Sequence, residues 1–280
     1  MSSEDRVQVA ASFILQSPPG EINDVLNDVR VIVDDDAGLE EGILPALREY
    51  NIAQFTTVEV PGEHHQTIVS EFARVPGTEE ERYLDPRSKT SFVFNHLTLE
   101  ATDPQSEEPS EAEPQRAALE SAALSYLGSH YHDGVATVLA MSTTQFAIQI
   151  VSNKYNPSNY WADLESRTIQ GRVLVNVHYY EQGNVQLSTS NDSSISIPAT
   201  VSSLSPASSA SKIFALIEAE ESRCQTFLND AYHEMGEKAF KGLRRALPLT
   251  RQKIDWDKTM GYKLGAELTA SNRAFGAQPR

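Results

Sequence analysis

The architecture of this chain follows from five consecutive segments: GVATVLAM (residues 134–141), TQFAIQIVSNKY (144–155), NYWADLESRTIQ (159–170), RVLVNVHYYE (172–181) and NVQLSTSN (184–191). Each is rich in β-branched and aromatic residues, which is typical of strands. Connections this short join antiparallel neighbours, so the segments predict a five-stranded meander. Two of the predicted tight turns contain glycine, Gly171 and Gly183.

A long helix is predicted after the strands, beyond a serine-rich connection at residues 193–211. It begins at Ala207 or Ser211 and ends at Leu247, a length of roughly 55 Å. Its apolar face comprises Ile213, Leu216, Ile217, Glu220, Cys224, Phe227, Leu228, Ala231 and Met235. Such a helix needs a wider sheet than five strands, and an open meander leaves exposed edges. We therefore expect a second subunit that extends the sheet.

Helices and short strands precede the meander. The spacing of apolar residues predicts an antiparallel bundle of three helices at residues 7–15, 21–33 and 39–50. Strand patterns follow at residues 55–60, 66–72 and 90–99. An acidic, proline-rich stretch (103–115) is expected to be a flexible surface loop, and a helix is predicted at 116–131.

The predicted fold class is α+β, in four parts. These are an N-terminal helical bundle (1–52), a small β region with an acidic loop (53–115), the central antiparallel sheet with a long covering helix (116–247), and a C-terminal amphipathic arm and tail (248–280).

Composition excludes several classes of protein. With 40% hydrophobic and 22% charged residues, the 280-residue chain is typical of a globular protein with a sizeable core. Its single cysteine, Cys224, excludes an internal disulfide and fits a reducing compartment. No secretory signal is visible and no apolar run is long enough to span a bilayer, so we expect a soluble intracellular protein.

Positive charge is concentrated near the C-terminus. Residues 238–280 carry ten basic and three acidic residues, a net +7 in a chain of formal charge −16, which leaves −23 for the rest. The overall acidity argues against generic binding to nucleic acid. The local excess predicts a surface for an acidic partner.

The spacing within this segment predicts two helices. Pro248 ends the first helix and Thr250 caps the second. The first carries a cationic stripe made of Lys238, Lys241 and Arg245. The second repeats apolar residues every four positions, at Trp256, Met260, Leu264 and Leu268. This apolar face either docks on a partner or packs back on the protein's own core with the lysines solvated.

No motif for catalysis or for a cofactor is present in the sequence, which lacks GxxxxGK[ST], GxSxG, HExxH and CxxC. His64 and His65 lie between two predicted strands. Adjacent strand residues point to opposite faces, so the two histidines would not easily ligate one metal, and they are interpreted as a solvated turn. His130 and His132 fit the preference of a helix end for histidine. His178 is interpreted as a sheet residue. We expect no enzyme, no metal and no cofactor.

The run LRRALPLTRQKIDWDK (243–258) closely resembles the C-terminal region of the alpha subunit of the F-actin capping protein. Other stretches match the same family in order: VHYYEQGNVQL (177–187), LDPRSKTSFVFNHL (84–97), DVRVIVDDD (28–36), EYNIAQFTTVEVPG (49–62) and YNPSNYW (155–161). No single stretch is a catalytic signature, but the ordered set is specific and spans most of the chain.

The resemblance implies a fold and a function. Members of this family pair with a structurally similar beta subunit, and the two sheets join into one antiparallel sheet beneath a long helix from each subunit. The heterodimer binds the barbed end of an actin filament and blocks subunit addition and loss there, without calcium or nucleotide chemistry. It implies a place in the cytoplasm, at the cortical actin cytoskeleton.

The resemblance also assigns a site to the basic segment. The residues expected to contact actin are Lys241, Arg244, Arg245, Arg251 and Lys253. The same patch is similar to the family's site for phosphoinositides and acidic regulators. The residues expected to dock on actin or to anchor the arm are Trp256, Met260 and Leu264. The alternative is a peripheral phosphoinositide-binding or scaffold module that uses the basic arm on anionic lipids.

Overall fold

The computed structural model of the chain describes residues 3–33, 36–131, 133–152, 156–179 and 185–234. The chain divides into two compact units. The first comprises Met1–His178 and Val185–Arg223, and the second comprises Tyr179–Asn184 and Cys224–Arg280. In the second unit, the described residues are Tyr179, at the end of a strand, and residues 224–234, the last turns of a helix.

The N-terminal helices are confirmed as α1 (Ser3–Leu15), α2 (Ile22–Val33) and α3 (Asp36–Ala53). The chain turns sharply after α1, where Gly20 has φ +84°, a value that glycine adopts without strain. Their common core contains Ala10, Ile14, Val29, Val33, Leu39, Ile43, Ala46 and Leu47. The helices form because this apolar stripe repeats at helical spacing.

Five short strands make up the small β region. β1 (Thr57–Glu59) pairs with β2 (Gln66–Ile68), and a three-stranded sheet has the order β3 (Arg82–Asp85), β4 (Thr90–Asn95), β5 (Glu100–Ser106). The predicted strand at 66–72 stops early, because Ser70 caps a 3-10 helix, Glu71–Ala73. The predicted strand at 90–99 ends at Asn95, whose side chain accepts the Leu97 and Thr98 amides and closes a turn.

The prediction of an acidic loop at residues 103–115 was partly wrong. Residues 103–106 belong to β5, and residues 113–115 are the first turn of α4 (Glu113–His130). The residues between them lie outside regular structure. The Glu107 amide donates to the Lys89 carbonyl at 2.8 Å, so pairing with the β4 side continues just past the strand.

The five-stranded antiparallel sheet is confirmed, with the order β10-β9-β8-β7-β6. Its strands are β6 (Val135–Ala140), β7 (Gln145–Ser152), β8 (Asn156–Asp163), β9 (Thr168–Tyr179) and β10 (Val185–Ser196). The prediction of a turn at Gly171 was wrong. The turn lies at 164–167, where Asp163 accepts the Glu165 and Ser166 amides, and Gly171 lies inside β9 opposite Tyr160. The other predicted turn, at Gly183, falls outside the described residues.

Two helices pack on one face of this sheet, α4 and α5 (Pro206–Glu234). Their shared core includes Leu119, Ala123, Phe146, Ile148, Tyr160, Ile169, Ile213 and Ile217. The opposite face of β6 and β7 contacts the small β region, where Ser70 donates to Gln149 at 2.8 Å. The long helix is thus observed to Glu234, and its predicted continuation to Leu247 lies beyond the described residues.

Candidate functional site

The sequence-predicted site lies in the part of the chain that the structure does not describe. This holds for Lys241, Arg244, Arg245, Arg251, Lys253, Trp256, Met260 and Leu264. Their grouping into one surface remains a prediction. What the structure does describe is the helix that precedes them in the chain, α5, and the way its first half is held on the sheet.

A buried carboxylate holds α5 in place. Glu221 is only 6% exposed and accepts hydrogen bonds from the hydroxyls of Tyr126 (2.5 Å), Tyr160 (2.6 Å) and Tyr131. We call these four residues the Glu221 cluster. Burial, with the charge of Glu221 second, raises the pKa of the Tyr131 and Tyr160 hydroxyls. Burial and the bond to Glu221 raise the pKa of Tyr126 as well.

Two glycines make room for this cluster. A Cβ on Gly171 would lie 2.7 Å from the Tyr160 ring and 2.6 Å from Ser193 Oγ. A Cβ on Gly134 would lie 2.7 Å from Leu127 and 3.3 Å from the Tyr131 Cβ. Because carbon atoms do not approach so closely, a side chain at either position would displace a neighbour of the cluster.

Sequence reasoning missed Glu221. The predicted apolar face of the helix contained Glu220, whereas the structure buries Glu221 and leaves Phe227 68% exposed. A signal was available, because Ile213, Ile217 and Glu221 follow one another at four-residue spacing, which puts them on one stripe. A carboxylate on a buried stripe requires donors, and tyrosine hydroxyls supply them.

Two of the histidines contact carboxylates of the folded chain. His64 is exposed, but the interpretation of His65 as solvated was wrong, because its Nε2 lies 2.8 Å from the buried carboxylate of Asp85. His130 stacks on Tyr126 and contacts Glu218 at 3.2 Å. Within the described residues, no group of three or more His, Cys, Asp and Glu side chains could hold a metal ion. None of the helices there is both long and apolar enough to cross a membrane.

The two edges of the central sheet differ. β10 is the last strand at one end of the described sheet, and it is twelve residues long. At the other end, Arg116 of α4 donates to the backbone carbonyl of Val138 in β6 at 3.4 Å. Arg116 is 4% exposed and pairs with Glu113 and Glu120. A buried guanidinium therefore bonds one carbonyl of β6, whereas β10 is the terminal strand at the other end of the described sheet, the position where a further strand pairs when a sheet is extended.

Comparisons of the sequence and of the fold with known proteins match the same family. Residues 10–267 match the family model of the F-actin capping protein alpha subunit. The F-actin-capping protein subunit alpha of Emericella nidulans is 38% identical over 94% of this chain and 97% of its own length. The Caenorhabditis elegans protein of the same name is 31% identical over 96% and 99%. A solved homodimeric actin capping protein alpha subunit from Plasmodium berghei has a similar fold, with a TM-score of 0.64, 20% identity, and coverage of 84% and 93% of the two chains.

Proposed function

Because the chain belongs to the F-actin capping protein alpha subunit family, we propose that it caps the barbed ends of actin filaments and blocks subunit addition and loss there. The observation that carries this proposal is the family match over residues 10–267, which takes in the bundle, both β regions, α5 and most of the basic segment. The proposed capping is a binding function without catalysis, and in line with the family resemblance it proceeds independently of calcium and without nucleotide chemistry.

The protein acts as one subunit of a dimer, with a capping protein beta subunit as its partner. The available edge of β10 and the length of α5 support this arrangement. The Plasmodium berghei relative is described as homodimeric, so the partner must be determined by experiment. We propose that this dimer acts in the cytoplasm, at cortical actin.

The basic segment contacts actin through Lys241, Arg244, Arg245, Arg251 and Lys253. The acidic surface of actin attracts such a cluster and accelerates the encounter. The residues that dock on actin or anchor the segment are Trp256, Met260 and Leu264. Phosphoinositides and acidic regulators compete for the same cations, because phosphate groups pair with lysine and arginine.

The test is elongation of actin from barbed-end seeds in the presence of the chain co-expressed with a capping protein beta subunit. Wild type is expected to stop elongation, and Lys241→Ala/Arg245→Ala/Arg251→Ala to do so far more weakly. The matched control removes three exposed cations elsewhere, Arg6→Ala/Lys212→Ala/Arg223→Ala, and should retain capping. An assembled wild-type dimer that leaves elongation unchanged would rule out the proposed function. Lipid binding by a peptide of residues 238–280 would then favour the phosphoinositide-binding or scaffold module.

A further inference from the structure

The N-terminal bundle meets the small β region at a junction built from polar and apolar contacts. Leu97, in the turn after β4, packs against the core of the bundle. Beside it, the buried side chain of Asn51, near the end of α3, donates to the His96 carbonyl at 2.9 Å. Arg48, one turn earlier on α3, binds Glu81 just before β3. His96 therefore lies among the contacts that join the two parts.

We propose that His96 makes this junction sensitive to pH, so that the bundle and the small β region are held together firmly at neutral pH and loosen as the pH falls. The His96 junction consists of Arg48, Asn51, Glu81, Tyr83 and His96. These residues lie outside the basic segment, so the proposal goes beyond the proposed function and does not depend on it.

The hydrogen bonds of Asn51 determine the state of one ring nitrogen of His96. A carbonyl oxygen only accepts hydrogen bonds, so the Asn51 atom that faces the His96 carbonyl is the amide nitrogen, which donates. The same nitrogen carries a second N–H and lies 3.4 Å from His96 Nδ1. Asn51 Oδ1 accepts from the Thr56 hydroxyl at 3.4 Å, which supports this orientation of the amide. His96 Nδ1 is therefore an acceptor, and an acceptor nitrogen carries no proton.

The other ring nitrogen faces the hydroxyl of Tyr83. This hydroxyl has one proton, which it donates to the Glu81 carboxylate at 3.0 Å. Its oxygen can still accept, and His96 Nε2 lies 3.3 Å from it. Nε2 is therefore the nitrogen that carries the proton. The two contacts together select the neutral ring in a single tautomer.

A second proton on the ring would disturb these contacts. A protonated Nδ1 would turn its N–H toward an N–H of Asn51, so the bond between them would be lost. Burial of the ring already disfavours the charged form and lowers the pKa of His96. The charge of Glu81 favours the charged form, the guanidinium of Arg48 opposes it, and burial prevails.

The pH range of the effect follows from the direction of this shift. Tyr83 keeps its proton throughout, because burial raises the pKa of its hydroxyl. Glu71 and Arg74 pair with Arg48 and Glu81, respectively. The stability that neutral His96 contributes to the junction is therefore complete above its ordinary pKa of about 6.5, and it is lost as the pH falls from there through the lowered value.

The experiment measures hydrogen exchange in the full-length chain, co-expressed with a capping protein beta subunit, at pH 7.5 and pH 5.5. Protection factors, which remove the intrinsic effect of pH on exchange, are expected to fall several-fold at pH 5.5 for residues 51–56 and for β4. His96→Gln, which stays neutral, should abolish this fall. The matched controls are His64→Gln, at an exposed position, and His65→Gln, beside a different carboxylate, and both should retain it.

A second measurement needs only the wild-type chain with labelled histidine. Ring-nitrogen chemical shifts should show His96 with its proton on Nε2 and titrating below the ordinary pKa of about 6.5. Its signal is identified by its absence in His96→Gln or, if that variant does not fold, by its shift in Tyr83→Phe.

The outcomes are distinct from those of the capping test. A junction equally protected at both pH values, a fall that persists in His96→Gln, or a ring that titrates at or above the ordinary value would overturn the inference. A dimer that shows the fall but does not cap filaments would overturn the proposed function and support the inference.

Discussion

Among the residues that the structure describes, four tyrosine hydroxyls lie beside carboxylates and are shielded from solvent, those of Tyr83, Tyr126, Tyr131 and Tyr160. Burial raises the pKa of each, and the nearby charge of Glu81 or Glu221 adds to the effect. The folded chain thus holds these protons more tightly than the unfolded chain, whose tyrosines titrate at about pH 10. Stability is full below that pH and falls as the pH rises above it, because the unfolded state loses the protons first.

This prediction is checked by unfolding in denaturant between about pH 8 and pH 11. Phenolate absorbance should show these four tyrosines ionising only as the chain unfolds. Tyr126→Phe should reduce the loss of stability with pH. Ionisation of all tyrosines in the folded chain near the ordinary value would contradict the burial of these hydroxyls.

Alanine substitutions at two glycines are expected to change stability in opposite directions. Gly171→Ala should destabilise the chain by about 1–3 kcal/mol, because the added methyl collides with the Tyr160 ring. Gly128→Ala, on an exposed position of α4 with nothing within 4 Å, should stabilise it by roughly 0.5–1 kcal/mol. Thermal unfolding of both variants measures the difference. Equal effects would mean that Tyr160 does not lie over β9.

Ion pairs join secondary-structure elements, and their contribution to the free energy of unfolding depends on how exposed they are. Arg48 of α3 binds Glu81 through two nitrogens and also reaches Glu71, with Arg48 30% and Glu81 28% exposed. Its loss in Arg48→Ala should destabilise the junction between the bundle and the small β region by about 1–2 kcal/mol. The pair of Arg172 and Asp192 is 68% and 63% exposed, so Asp192→Asn should leave the free energy of unfolding unchanged within error. Urea denaturation of the two variants tests this contrast, which fails if both behave alike.

The elements that sequence patterns predicted well are those with a long, regular periodicity. The three N-terminal helices were predicted because apolar spacing is a local property. The five-stranded order was predicted because the short connections between the strands leave only antiparallel neighbours. The turn at Gly171 was misplaced because the glycine there leaves space for the Tyr160 ring on the neighbouring strand. A local sequence pattern does not reveal such a contact. Arg82–Asp85 was missed as a strand because its polar Arg82 is buried by partners distant in sequence, Ser91 and Asp103. The predicted actin-contact residues stay a prediction, since they lie outside the described residues.

At the scale of the whole molecule, the charge distribution predicts a salt-dependent encounter. Residues 238–280 carry +7 against −23 on the rest, so the dimer should approach an acidic filament end with the basic segment leading. The association rate at barbed ends is expected to fall as ionic strength rises, as the Debye length shortens from about 30 Å at 0.01 M to about 8 Å at 0.15 M. Kinetics of seeded elongation at several salt concentrations measures this. A rate independent of salt would contradict a charge-steered approach.

The unequal edges of the central sheet limit how large an assembly can become. Backbone groups are offered at β10, whereas the Val138 carbonyl of β6 already accepts a bond from a buried guanidinium. If β10 is the end that pairs, a single partner of similar layout completes the sheet, because it turns its own β6 end outward. We therefore expect a finite complex. A protein that ends the growth of one polymer would in this way be kept from forming another.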